Sequence, residues 1–173
     1  ILNEATDEFE VHDKLTTQLS ERHTVRVVGI DEETGRFYVL TDLFSEQVQA
    51  WTYDPKSRSF GSEPLVAHGE HSIAGLVFGN QPSNFNKLIG FSISGPSWET
   101  TYVDKDLRAI HEGIKQAFPG QLVTITSYND DLSKVLFTTS SGQHPGAYRL
   151  LVDRKEVKTL GRQRPWIDSN DLG

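Results

Sequence analysis

Cysteine and methionine are both absent from this chain of 173 residues. Without cysteine, the sequence excludes disulfide bonds, thiolate nucleophiles and cysteine metal ligands. A translation product starts with methionine, whereas this chain starts with Ile1, so we expect it to be a piece of a longer protein. No apolar run approaches the roughly 20 residues that a transmembrane helix needs. We therefore expect no membrane partner.

A basic surface is also missing, because 17 lysines and arginines stand against 24 aspartates and glutamates, for a net charge of −7. This balance disfavours the many phosphate contacts of nucleic-acid binding and predicts no nucleic-acid partner. Gly75, Gly79 and Gly90 lack the strand–GxGxxG–helix setting of a phosphate loop, so no cofactor is predicted. Hydrophobic residues make up 36% of the chain and charged residues 24%, which is typical of a globular domain.

What the sequence does contain is a repeat with a period of about 50 residues. A basic residue opens an apolar, β-rich run three times, in residues 36–41, 87–92 and 134–139. A later extended run in each unit ends in an aspartate, which is Asp54, Asp104 or Asp153. Repeats of this length are typical of units that bury their apolar faces by packing on their neighbours. Strand length and period together favour the blades of a β-propeller.

We therefore predict an all-β fold, a partial β-propeller of about three four-stranded antiparallel blades. The predicted blades lie at about 21–67, 68–120 and 121–167. The strands predicted for the first blade lie at 25–30, 36–42, 47–54 and 59–66. A self-contained β-sandwich stays open as the alternative, because short alternating strands would also build one.

The acidic, irregular start of the chain, residues 1–20, is expected to hold one strand over 9–12. That strand would be the outer strand of a preceding blade, because Phe9 and Val11 alternate with polar residues. At the other end, residues 168–173 are polar and are predicted to be a linker.

In the middle unit the hydrophobic period changes from 2 to 3.6 over about 104–118, which predicts an inserted helix. The stripe that defines it consists of Leu107, Ile110, Ile114 and Phe118. Asp104 or Asp106 is placed to cap the start of this helix, and Pro119-Gly120 to end it. His111 lies off the stripe and is predicted to be solvated.

Motifs that would supply chemistry are weak. The run Gly90-Phe91-Ser92-Ile93-Ser94-Gly95 approaches the G-x-S-x-G elbow of serine hydrolases, but neither serine has glycines at both required positions. His68 and His71 flank a glycine and lack a third ligand, so they are predicted to be turn residues. Residues 129–131 lack the spaced carboxylates of a calcium loop and are also predicted to be a turn. No catalytic or metal-binding residue is predicted.

One ordered set of segments is more specific. Phe118-Pro119-Gly120 leads into a strand over 122–128 and the turn Asn129-Asp130-Asp131, followed by Pro145-Gly146-Ala147-Tyr148, Val152-Asp153 and finally the exit segment 160–167 with Pro165-Trp166. This succession resembles the last propeller blade of the prolyl oligopeptidase family of serine peptidases, in its acylaminoacyl-peptidase-like and dipeptidyl-peptidase-like branch. The resemblance covers about 118–168 and is looser over 25–104. Val152 departs from it, since family members carry an aromatic residue before that aspartate.

The resemblance implies a serine peptidase that cleaves short peptides, in which the propeller gates access to an α/β-hydrolase domain following Gly173. The catalytic serine, aspartate and histidine would lie in that domain, so none is assigned to this chain. The expected partners are therefore the hydrolase domain and the peptide substrates of the parent protein. The alternative is a stand-alone propeller that acts as a binding or scaffold module without peptidase activity.

Arg162, Arg164 and Trp166 are the candidate residues for a domain interface, since they lie just before the predicted linker. A tryptophan there can bury a large apolar area, and the arginines offer forked donors across a domain boundary. The competing interpretation is that Trp166 covers the last blade and the arginines are solvated. Three blades would also leave open apolar flanks, which predicts a homo-oligomer.

Overall fold

The computed structural model of the chain describes residues 2–3, 6–17, 21–95 and 98–167, and is mostly β with one α-helix. The helix, α1, spans Lys105–Ala117, and a 3-10 turn spans Asp13–Leu15. The strands are β1 (Leu2–Asn3), β2 (Glu8–Phe9), β3 (Val25–Ile30), β4 (Phe37–Thr41), β5 (Gln49–Asp54), β6 (Ser59–Phe60), β7 (Ser72–Phe78), β8 (Leu88–Ser94), β9 (Trp98–Tyr102), β10 (Leu122–Tyr128), β11 (Lys134–Ser141), β12 (His144–Val152) and β13 (Glu156–Arg162).

These strands form four open sheets, and in each sheet the spatial order follows the chain. The orders are β1-β2, β3-β4-β5-β6, β7-β8-β9 and β10-β11-β12-β13. The chain divides into two compact units, Ile1–Leu76 with Ser92–Trp98 and Val77–Phe91 with Glu99–Gly173. Among the described residues, none of the helices is long and apolar enough to span a membrane.

In the first unit, the core forms around β4, which pairs with β3 on one side and with β5 on the other. Val39 and Leu40 point to opposite faces of the sheet, and both are fully buried. On β5, Ala50 and Tyr53 are equally buried. Both faces of β4 are therefore covered at these positions, which is why its sequence is apolar without alternation.

In the second unit, the helix packs on the sheet β10-β11-β12-β13. Its apolar stripe contributes Ile110 and Ile114 to a buried cluster, and β11 contributes Val135 and Phe137. The predicted helix is thus confirmed, and Asp104 caps it by accepting a hydrogen bond of 2.9 Å from the Leu107 amide.

Among the described residues, the middle unit has a three-stranded sheet, β7-β8-β9, where four strands are predicted, because the chain continues into α1 after β9. Two further strand predictions are wrong in extent. The fourth strand of the first blade, expected over 59–66, is limited to β6, and beyond it Val66 makes a single bridge to Ala50. Pro64 explains this in part, since proline has no amide hydrogen to donate to a neighbouring strand. The strand expected over 9–12 is also shorter, because pairing with β1 ends at Phe9.

Candidate functional site

The candidate interface residues lie at and beyond the end of β13. Arg162 is the last residue of that strand and pairs with Ala147 on β12. Arg164 and Trp166 follow it, and the Trp166 side chain is 77% exposed. Together, Arg162, Arg164 and Trp166 form what we call the exit surface. The tryptophan does not pack into the core of its own unit.

The Pro145-Gly146 segment contacts the chain at the start of the exit surface. The Gln163 amide donates a hydrogen bond of 2.9 Å to the Gly146 carbonyl. Gly146 has a φ of +93°, and a Cβ atom there would collide with the Gln163 side chain. Glycine is therefore favoured at 146 chiefly by its positive φ, since the flexible Gln163 side chain can move aside. Two parts of the family-like succession, which lie 17 residues apart in sequence, meet at this point.

The positive charges of the exit surface are not neutralised within the described part of the chain. Among the described residues, neither Arg162 nor Arg164 forms an ion pair with a carboxylate. A turn, in which the Ile167 amide donates to the Arg164 carbonyl at 3.1 Å, precedes the end of the described chain. Exposed guanidinium groups beside an exposed indole can bind carboxylates or carbonyls together with an apolar surface.

The serine-rich segment resembling a nucleophile elbow lies within a strand. Ser92 is in the middle of β8 and is 7% exposed, and its hydroxyl lies 3.5 Å from the Gly75 carbonyl. Gly90 is needed because a Cβ atom there would meet the Thr101 carbonyl oxygen at 2.7 Å. Close approach of β8 and β9 thus explains this glycine, in place of the strand-to-helix turn that an elbow requires.

The histidines divide into two groups. His68 lies in a turn, where its Nδ1 accepts hydrogen bonds from the amides of Glu70 and His71, and the His68 and His71 rings stack. His111, which the helical pattern predicts to be solvated, is instead 3% exposed. Its Nε2 lies 3.2 Å from the Val123 carbonyl, and its ring contacts the edge of Tyr102. The prediction for His111 is wrong because the helix is covered on more than its aliphatic stripe.

The segment 129–131 forms the predicted turn. The Asp131 carboxylate accepts a hydrogen bond of 3.0 Å from the Ser133 amide, and this bond lowers the pKa of Asp131. Asn129 completes the turn by accepting from the Lys134 amide at 2.7 Å. The Asp131 carboxylate therefore binds a local backbone donor, whereas the Asp130 carboxylate accepts a hydrogen bond of 3.1 Å from the distant Ser83 amide. In the described part of the chain, no group of three or more potential metal ligands comes together.

Two residues with unusual surroundings escape the sequence analysis. His12 is 7% exposed, and its Nε2 lies 3.1 Å from the Tyr53 hydroxyl. Burial, and to a lesser degree the Arg58 charge, lowers the pKa of His12. Arg149 lies on β12 between Ala147 and Leu151, both of which face the buried side of the sheet. The period-2 pattern of β12 was the available signal for Arg149, whereas no sequence pattern pairs His12 with Tyr53.

Comparison with protein-family models, with curated proteins and with solved structures finds no match for this chain. A function must therefore be argued from its own residues and from the resemblance of its segments.

Proposed function

We propose that this chain is a non-catalytic part of the β-propeller of a prolyl oligopeptidase-like serine peptidase. In this proposal, the parent protein cleaves short peptides in an α/β-hydrolase domain, and the propeller restricts entry to that domain. Limiting access to short or flexible chains also helps to keep water and folded proteins away from the reacting groups.

The observation that carries this proposal is the agreement between sequence repeat and sheet order. Each repeat corresponds to one separate sheet whose strands follow the chain, with four, three and four strands. Among the described residues, strands from different repeats do not pair into one continuous sheet. Blades of a propeller have this organisation.

The exit surface supports the second half of the proposal. The exposed Trp166 lies close in sequence to two exposed arginines, and together they offer an apolar surface and hydrogen-bond donors that a further domain can cover. The contact between Gly146 and Gln163 fixes the direction in which the chain leaves the last sheet. These features favour a docked following domain over a free propeller.

Labelling of the parent protein with a fluorophosphonate probe tests this function. The probe reacts with activated serines, and peptide mapping then locates the labelled residue. We expect one labelled serine, within a G-x-S-x-G sequence located beyond Gly173. No labelling, and no such sequence in the reading frame, would favour the stand-alone binding or scaffold module. Labelling of Ser92 or Ser94 would show that the active site lies in this chain.

A second experiment tests the role of the exit surface. Trp166→Ala in the parent protein should reduce peptide turnover per folded molecule, while the unfolding of this chain alone changes little. Lys158→Ala, an exposed change on β13, is the matched control. Equal destabilisation of the isolated chain, with full activity of the folded parent, would support the interpretation that Trp166 covers the last blade.

A further inference from the structure

A small polar pocket of about 180 Å³ lies near the exit surface, at the end of the β11-β12 hairpin. Its polar lining comes from three parts of the second unit: the segment after the helix, the hairpin and the end of β13. The side chains that matter here are those of Gln121, Thr139, His144, Arg149 and Arg162. Among the described residues that line the pocket, none is an aspartate or a glutamate.

Arg149 is held in place within this pocket. Its Nε donates to the Thr139 hydroxyl at 3.1 Å, and its Nη1 donates to the Thr159 hydroxyl at 2.7 Å. The guanidinium also lies 4.5 Å from the centre of the Phe118 ring. Hydroxyls and a ring face orient this cation without neutralising it, and they leave the remaining Nη donors available.

The charge of the pocket contrasts with that of the chain. The chain carries a net charge of −7, yet two arginines line this pocket. Among the described residues, neither Arg149 nor Arg162 forms an ion pair. Cations gathered without a counter-charge, one of them already oriented, are the arrangement expected of an anion-binding site.

We propose that this pocket binds a carboxylate group. The Arg149 guanidinium can donate two parallel N–H bonds to a planar carboxylate, and Arg162 and Gln121 can donate from the rim. The small volume and the acidic remainder of the chain disfavour a polyanion such as nucleic acid. The carboxylate could belong to a small free acid or to the C-terminus of a peptide. The peptide source rests on the proposed function, whereas carboxylate binding itself does not.

Binding can be measured by NMR on this chain, using the Nε–H signal of Arg149. The probes are acetate, N-acetyl-alanyl-alanine, and the C-terminal amide of that same dipeptide. Both acids should shift the signal in a saturable way, and the amide should not. A dipeptide acid that binds at least about tenfold more tightly than acetate identifies a peptide C-terminus as the source, and equal affinities identify a small free acid. No saturable shift with either acid, or an equal response to the amide, would overturn the proposal.

Variants distinguish binding in the pocket from non-specific electrostatic attraction to the chain. Arg162→Gln removes an exposed side chain and should weaken dipeptide binding by about tenfold, the value of one charge-assisted hydrogen bond. Arg149→Lys keeps the charge but loses the fork, and should weaken binding by a similar factor. Lys158→Gln makes the same charge change as Arg162→Gln, on the same strand but outside the pocket, and should change affinity less than twofold. A loss as large in Lys158→Gln would mean that non-specific attraction accounts for the binding.

Discussion

The first and last four-stranded sheets are built from the same repeat but are covered differently. In the first sheet, the central part of β4 is fully buried on both faces, with Val39 on one face and Leu40 on the other. In the last sheet, β11 is fully buried on the helix side, at Val135 and Phe137. On its other face, Leu136 is half-buried.

The second face of the last sheet is open over a wider area. Leu136 pairs with Leu150, which is also half-buried, and the neighbouring Tyr148 is 44% exposed. Leu160 lies on the adjoining strand and is 58% exposed. We call these four residues the open face. A repeat unit that leaves one apolar face in water is expected to pack on another unit, either a further blade or a second copy of the chain.

The largest loss of stability is expected when one leucine in each sheet is truncated, Leu40 in the first sheet and Leu136 in the last. Leu40→Ala should lower the free energy of unfolding by about 2–5 kcal/mol, because it leaves a cavity in a closed core. Leu136→Ala should cost at most about half as much, since its side chain is already partly hydrated. Urea denaturation followed by circular dichroism measures both. Equal losses would contradict the difference in cover between the two sheets.

A smaller loss of stability is expected at α1, the helix that packs on the last sheet. Asp104→Ala removes the N-cap and should destabilise α1 by about 1 kcal/mol, which speeds hydrogen exchange of the Leu107 amide about fivefold. Asp106→Asn is the control, because its ion pair with Arg154, at 3.6 Å, is well exposed and contributes little. An unchanged Leu107 exchange rate in Asp104→Ala would mean that the cap does not stabilise the helix.

A pH-dependent change in local stability is expected at the start of the chain, where His12 contacts Tyr53 on β5. Because burial lowers the pKa of His12 from 6.5, the unfolded segment takes up a proton more readily than the folded one. The stability that the neutral His12 contributes should therefore be complete above pH 6.5, fall as the pH drops below 6.5, and be gone below the folded-state pKa.

Limited proteolysis of residues 6–17 at pH 7.5 and pH 5.0 measures this change. Cleavage should accelerate at pH 5.0 in the natural chain, and His12→Gln should remove most of the difference. His23→Gln is the control, since the His23 side chain is 51% exposed. A His12 ring that titrates above 6.5 in an NMR experiment would contradict the assignment.

The smallest change in stability is expected on the open face. Tyr148→Lys should alter the free energy of unfolding by no more than about 0.5 kcal/mol, as is usual for exposed positions. It should nevertheless reduce self-association, because a charge now lies within the apolar surface. Sedimentation velocity over a range of concentrations measures this, with Gln116→Lys on the exposed side of the helix as control. Unchanged association of Tyr148→Lys would place the self-contact elsewhere.

Features set by local periodicity could be predicted from the sequence. The stripe at Leu107, Ile110 and Ile114 predicts the helix, and the apolar runs that follow a basic residue predict the central strands. Features that depend on distant partners could not. His111 is buried by contact with Tyr102 and Val123, which helical periodicity does not report, and the Tyr53 hydroxyl that meets His12 is 41 residues away.

In the candidate site, too, local features could be predicted from the sequence and contacts between distant residues could not. Residue type and position point to Arg162, Arg164 and Trp166; the Trp166 side chain is exposed, and a domain interface at these residues stays a prediction. Arg149 was missed because its surroundings come from three separate elements, which bring Phe118, Thr139 and Thr159 around one guanidinium. Alternation along β12 could have placed it on the buried side, but not in a pocket.

We propose that these sheets are blades of a larger propeller, and a crystal structure of the proposed parent protein tests this proposal most directly. We expect the open face, with Leu136, Tyr148 and Leu150, to be buried against a neighbouring four-stranded sheet, and Trp166 to be buried against a following domain. The claim would be contradicted by an open face that stays in water, or by strands of different repeats joined into one continuous sheet.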